Sequence, residues 1–109
     1  MVAGGASSSY DASKGGVLQF TRAIGAEYAA YGVRANCVCP GRVRTNLRQS
    51  SRQSFEATGA PGGALRVNVP MDRAADPAEI AAAVAFLCSD DASFITASAV
   101  MADGGYTAV

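Results

Sequence analysis

The sequence predicts an α/β fold, the C-terminal part of a doubly wound parallel sheet. Three observations carry that expectation. Apolar residues step at helical spacing over residues 13–31, a short and partly β-branched run at 33–39 is closed by Pro40-Gly41, and a second helix signal at Asp76 leads to an apolar run at 98–102. Helix, strand, excursion, helix, strand is the order of a parallel sheet joined by right-handed crossovers. Two strands make a marginal sheet in water, and parallel sheets need cover on both faces. The 109 residues therefore read as the back half of a larger doubly wound domain.

Each element has its own local warrant. In the first helix Val17, Phe20, Ile24, Tyr28 and Tyr31 recur at three- and four-residue steps, Ser8 or Ser9 is a candidate cap, and Gly32 is a C-terminal stop. Val33 to Cys39 reads as the first strand. The second helix opens with Asp76 as N-cap, Pro77 in the first helical position and Glu79 at the capping-box position, and Ile80, Val84 and Leu87 form its inward stripe. The second strand runs from Ser98 to Ala102 and ends at Asp103-Gly104-Gly105.

Composition narrows the function classes. Half of the residues are hydrophobic and 17% are charged, which suits a folded core. Nine Lys+Arg balance nine Asp+Glu, which argues against a nucleic-acid partner. The chain has no His, so Ser-His-Asp and Cys-His catalysis and most zinc sites are excluded. Cys37, Cys39 and Cys88 are odd in number, and the first two are too close along a strand to cross-link usefully. They read as reduced, buried thiols of a cytoplasmic protein. The first residues lack the basic and apolar stretches of a signal peptide, and the apolar run near Ala81 to Cys88 is too short to cross a bilayer.

The balanced charge hides an asymmetry. Residues 42–73 hold six arginines (Arg42, Arg44, Arg48, Arg52, Arg66 and Arg73) against Glu56 and Asp72, whereas residues 74–109 hold five acids and no Lys or Arg. Arg44, Arg48 and Arg52 recur every four residues and would share one face of a helix. That stripe is either a solvated face or an electropositive lid over an anionic cofactor or substrate.

Tyr10 and Lys14 stand one helical turn apart, so both side chains can point to one side. An ammonium beside a phenol favours the phenolate, which suits a general acid/base acting on a hydroxyl-carbonyl pair. The spacing alone is a weak signal, and a partly exposed Tyr beside a solvated Lys accounts for it equally well.

The wider series is more specific. Tyr10-Asp11-Ala12-Ser13-Lys14-Gly15 is followed by Val33-Arg34-Ala35-Asn36, Pro40-Gly41-Arg42-Val43-Arg44-Thr45, Asp76-Pro77 with Glu79-Ile80-Ala81, Phe86-Leu87, Ile95-Thr96 and Asp103-Gly104-Gly105-Tyr106. In that order these motifs resemble the C-terminal half of the short-chain dehydrogenase/reductase family, over essentially the whole chain. The resemblance implies a Rossmann-like sheet and hydride transfer between NAD or NADP and an alcohol or ketone substrate. It implies that Tyr10 is the catalytic acid/base, that Lys14 assists it and binds the nicotinamide ribose, and that Pro40, Gly41, Val43 and Thr45 hold the nicotinamide end of the cofactor. It places a substrate lid at 44–72, and a homo-oligomer (dimer or tetramer) whose interface uses the first helix.

The family's glycine-rich phosphate turn has no counterpart here, and its catalytic Ser would fall upstream of Met1. Ala97 stands where the family usually has Gly. The isolated chain is thus expected to be inactive. The alternative is a non-catalytic short protein that associates with full-length homologues through its interface helix.

Overall fold

The computed structural model describes residues 8–45 and 68–109. Helix α1 spans Ser8–Glu27, strand β1 Cys37–Pro40, helix α2 Pro77–Cys88 and strand β2 Ala99–Ala102. The strands pair in parallel with Cys37 opposite Ala99 and Pro40 opposite Ala102, and α2 makes the crossover between them. Arg48, Arg52 and most of the predicted lid at 44–72 lie outside the described residues.

Helix α1 begins earlier than its apolar period suggested, so Ser8 and Ser9 are helical residues and not caps. Its small polar residues are compatible with the helix because they bond back to it: Ser13 Oγ donates to Tyr10 O at 2.8 Å and Thr21 Oγ1 to Val17 O at 2.8 Å. A 3-10 turn at Ala29–Tyr31 follows, and Gly32 ends it in the left-handed conformation with φ 75°. The glycine stop is met there.

Residues 33–36 were expected to be strand and are instead a polar clamp. Arg34 donates from Nη1 to Ile95 O and from Nη2 to Ser89 O, each at 3.2 Å. Asn36 donates to Ile95 O at 2.8 Å and accepts from Ser98 N at 3.2 Å. These side chains hold the chain that leads into β2, and Ala97 N to Ala35 O (2.7 Å) and Cys37 N to Ser98 O (2.9 Å) start the sheet register.

Helix α2 starts where its sequence says. Glu79 Oε2 accepts from Asp76 N at 2.8 Å, and Pro77 occupies the first turn, where its missing N–H costs nothing. The inward stripe is narrower than predicted: Leu87 is buried, Ile80 half-buried and Val84 exposed. Val69, Leu87 and Ala92 are the buried hydrophobic residues among those described. The thiols differ from expectation too, with Cys37 and Cys39 half-buried and Cys88 exposed; all three are free. Burial, then the neighbouring Cys37 thiol, pushes the Cys39 thiol up from its ordinary value.

The apolar face of α1 is left largely uncovered. Val17, Tyr28 and Tyr31 are exposed and Phe20 is 66% exposed. The helix docks through its C-terminal part, where Gly25 is its buried residue. A Cβ on Gly25 would lie 2.6 Å from Ala97 N, and Thr96 Oγ1 donates to Gly25 O at 3.3 Å. Ala97 itself has φ 55°, the region that favours glycine, so the sequence departure at this position falls on a strained turn.

Candidate active site

Two groups of residues converge on the same edge of the sheet. A helix that feeds a parallel strand runs antiparallel to it, so the first turns of α1 lie toward the carboxyl ends of the strands. The docking of Gly25 against the turn that leads into β2 fixes the other end of the helix at the opposite edge. Tyr10 and Lys14 therefore sit on the side where β1 gives way to Gly41, the side on which open α/β sheets bind ligands.

Tyr10 is 57% exposed, and Lys14 Nζ lies 5.5 Å from its ring centroid. The one-turn spacing brings this pair together as predicted.

The segment Pro40, Gly41, Val43 and Thr45 is held by a second set of contacts. Gly41 N donates to Ala102 O at 3.0 Å, and a Cβ on Gly41 would lie 2.7 Å from Asp103 Cα, so only glycine lets the turn after β1 lie against the turn after β2. Val43 forms a parallel bridge with Ala75 through Arg44 N to Ala75 O (2.9 Å) and Ala75 N to Arg42 O (2.8 Å). Because the bridge uses groups of Arg42 and Arg44, the N–H and C=O of Val43 point away from Ala75. Thr45 is exposed at the end of this described stretch.

The Asp103-Gly104-Gly105 turn underlies the same edge. Asp103 Oδ1 accepts from Gly105 N at 3.0 Å, while Oδ2 accepts from Thr107 N at 3.0 Å and Thr107 Oγ1 at 2.7 Å. The Thr107 hydroxyl bond holds the Asp103 carboxyl below its ordinary value. Gly104 and Gly105 have φ of 66° and 87°, and Met71 N donates to Gly104 O at 3.1 Å. The turn is thus a junction between β2, Gly41 and residues 69–71.

Sequence reasoning missed the polar chain beside it. Arg44 Nε donates to Asp76 Oδ1 at 2.8 Å, and its Nη2 pairs with the same oxygen. Arg73 forks onto Glu79, with Nη1 and Nη2 each 2.7 Å from a carboxylate oxygen. The Arg73 fork, then the Asp76 amide, pulls the Glu79 carboxyl down to about 2. A depression of about 160 Å³ beside this chain is lined by Met71, Arg73, Ala75, Glu79, Ile80 and Ala102. It is smaller than the roughly 300 Å³ at which ligand pockets begin. Arg44 was read as part of an arginine stripe that was either a solvated face or a lid; its guanidinium is tied to the start of α2.

A family model described as Enoyl-(Acyl carrier protein) reductase matches residues 1–107, and the homologues and solved neighbours are short-chain dehydrogenases and reductases. The chain belongs to the short-chain dehydrogenase/reductase family. It is 45% identical to the cis-4-hydroxycyclohexanecarboxylate dehydrogenase of Sinomonas cyclohexanicum, over 94% of this chain and 39% of that protein. A crystal structure of a short-chain dehydrogenase family protein from Francisella tularensis superposes with a TM-score of 0.83 at 36% identity, covering all of this chain and 47% of the other. A structure from Agrobacterium tumefaciens with bound NADP gives 0.76 at 32% identity, covering 93% of this chain and 39% of that one. The chain thus has the Rossmann-like family fold and spans about two fifths to one half of the length of these relatives. No helix among the described residues is long and apolar enough to cross a membrane.

Proposed function

We propose that this chain carries the proton-transfer and nicotinamide-side part of an NAD(P)-dependent oxidoreductase acting on an alcohol or ketone. The observation that carries this reading is the Tyr10–Lys14 pair, its ammonium 5.5 Å from the phenol ring centroid, on the sheet edge where Val43 turns its main chain outward. The residues fit the cofactor in chemical type: a main-chain N–H and C=O at one residue match the acceptor and donor of a carboxamide, and Thr45 adds a hydroxyl. Bound NAD or NADP would supply or accept the hydride.

The chain's own residues handle the proton and the position. Tyr10 Oη gives its proton to the carbonyl oxygen in reduction, or takes the hydroxyl proton in oxidation. Lys14 stabilises the phenolate left behind and offers N–H donors to a ribose. Pro40 fixes the exit from β1, and Gly41 allows the turn to seat against Asp103. A cytoplasmic setting accords with the three free cysteines. A homo-oligomer accords with the exposed apolar face of α1.

The test is Tyr10→Phe in the chain restored to the full length of its relatives, assayed for NAD(P)-linked oxidation of a panel of secondary alcohols. Loss of about 10²- to 10⁴-fold is expected for a general acid/base. Activity within a few-fold of the parent would remove Tyr10 from that role.

A second reading rests on the exposure of Val17 and Phe20: a non-catalytic chain that associates with full-length homologues through α1. A stable complex with a longer homologue, lacking turnover and lost on Phe20→Glu, would favour it.

A further inference from the structure

We propose that the Arg44–Asp76 ion pair positions the candidate nicotinamide turn, by fixing Arg42–Arg44 against Ala75 so that the main-chain groups of Val43 face the cofactor. The inference rests on the nicotinamide reading of that turn and goes beyond it by giving Arg44 and Asp76, which touch no reacting atom, a positioning role.

The geometry supplies the mechanism. A parallel bridge of one residue has only two hydrogen bonds, Arg44 N to Ala75 O and Ala75 N to Arg42 O. Two bonds leave the short segment free to rotate about its own axis, and rotation is what would re-aim Val43. Asp76 is the residue after Ala75, and Arg44 is the residue after Val43. Their side chains therefore close a third tie across the same rung, alongside the backbone pair and on one side of it.

Asp76 is in turn held from behind. Its amide donates to Glu79, and Glu79 is clamped by the Arg73 fork. The chain 44–76–79–73 thus anchors the turn to the first turn of α2.

Magnitude separates this role from a stabilising one. The Arg44 and Asp76 side chains are 63% and 53% exposed, and exposed pairs contribute little to folding. A small misplacement of a binding group, by contrast, costs an order of magnitude or more in the function it serves. Breaking the pair is expected to leave stability nearly unchanged and to weaken cofactor binding.

The experiment compares Arg44→Gln, Asp76→Asn and the double variant, each in the chain restored to the full length of its relatives. Asn is chosen at 76 because it preserves a good N-cap. NAD and NADP are titrated by calorimetry, melting is followed by circular dichroism, and exchange of the Arg44 and Ala75 amides is followed by NMR. Each single variant should raise Kd for the bound cofactor about tenfold, with Tm within a few degrees of the parent. The double variant should be no worse than either single.

Loss in Arg44→Gln without loss in Asp76→Asn would overturn the proposal, since Arg44 would then be touching the cofactor itself. Additive losses would overturn it as well. If the parent protein binds neither dinucleotide, the nicotinamide reading fails, and amide exchange still decides the tie. Faster exchange at both amides in both single variants sustains the orienting tie, and unchanged exchange removes it.

Discussion

The sheet with its closing turns and the helix α1 are finished to different degrees. Around β1 and β2, polar groups find partners within the chain: Arg34 and Asn36 clamp residues 89–98, Asp103 caps its own turn, and Arg44 and Arg73 tie to the start of α2. Helix α1 docks at Gly25, while Val17 and Phe20 face outward. Hydrogen bonding satisfies one region locally, whereas the apolar face of the other is left exposed. The candidate site straddles this divide, with its turn on the finished side and Tyr10 and Lys14 on the other.

The sharpest way to break the comparison is to remove apolar bulk on each side. Leu87 is 7% exposed, and Leu87→Ala should cost about 2–5 kcal/mol in urea unfolding. Phe20→Ala should change the same measurement by about 0.5 kcal/mol or less. Equal costs would mean that the α1 face is covered in solution. Next in size is the contact between the two regions. Gly25→Ala drives a Cβ to 2.6 Å from the backbone of Ala97, and overpacking of this kind costs about 1–3 kcal/mol. Far-UV circular dichroism during urea unfolding should show α1 released before the rest; a single unchanged transition would show that the helix has another anchor.

The smaller predictions sharpen the finished side. Ala97→Gly relieves a left-handed alanine but adds backbone freedom to the unfolded chain. The two effects nearly offset, with net stabilisation of about 1 kcal/mol or less in the same denaturation assay. Glu79 titrates at about 2 against an ordinary 4.5. Its contribution to folding is therefore complete above pH 4.5 and lost as pH falls through about 2. Carboxyl NMR should show that midpoint, and Arg73→Gln should move it back toward the ordinary value.

Much of this was legible in the sequence, for reasons that differ by residue. The start of α2 was readable because capping is a local transaction among Asp76, Pro77 and Glu79. The Tyr10–Lys14 contact was readable because one helical turn fixes it. The apolar face of α1 was legible as apolar, but periodicity says nothing of what lies opposite it. Val33 to Asn36 looked like strand because β-branched and small residues fit one. Arg34 and Asn36, however, use their side chains on carbonyls 55 or more residues away, and that separation leaves no local signature. The tie of Arg44 was not legible for the same reason, since its partner Asp76 is 32 residues on.

The bridge between Val43 and Ala75 has an evolutionary consequence. It ties the strand exit to the approach of α2 on the near side of Thr45 and the far side of Asn68, so the chain is pinned at both of these points. Lengthening a closed loop is cheap, about 0.6 kcal/mol for each doubling. Selection can therefore add, delete or replace residues in that interval without disturbing Gly41, Val43 or the sheet. Sequence length and composition between those two fixed points can thus diverge faster than the fold that holds them.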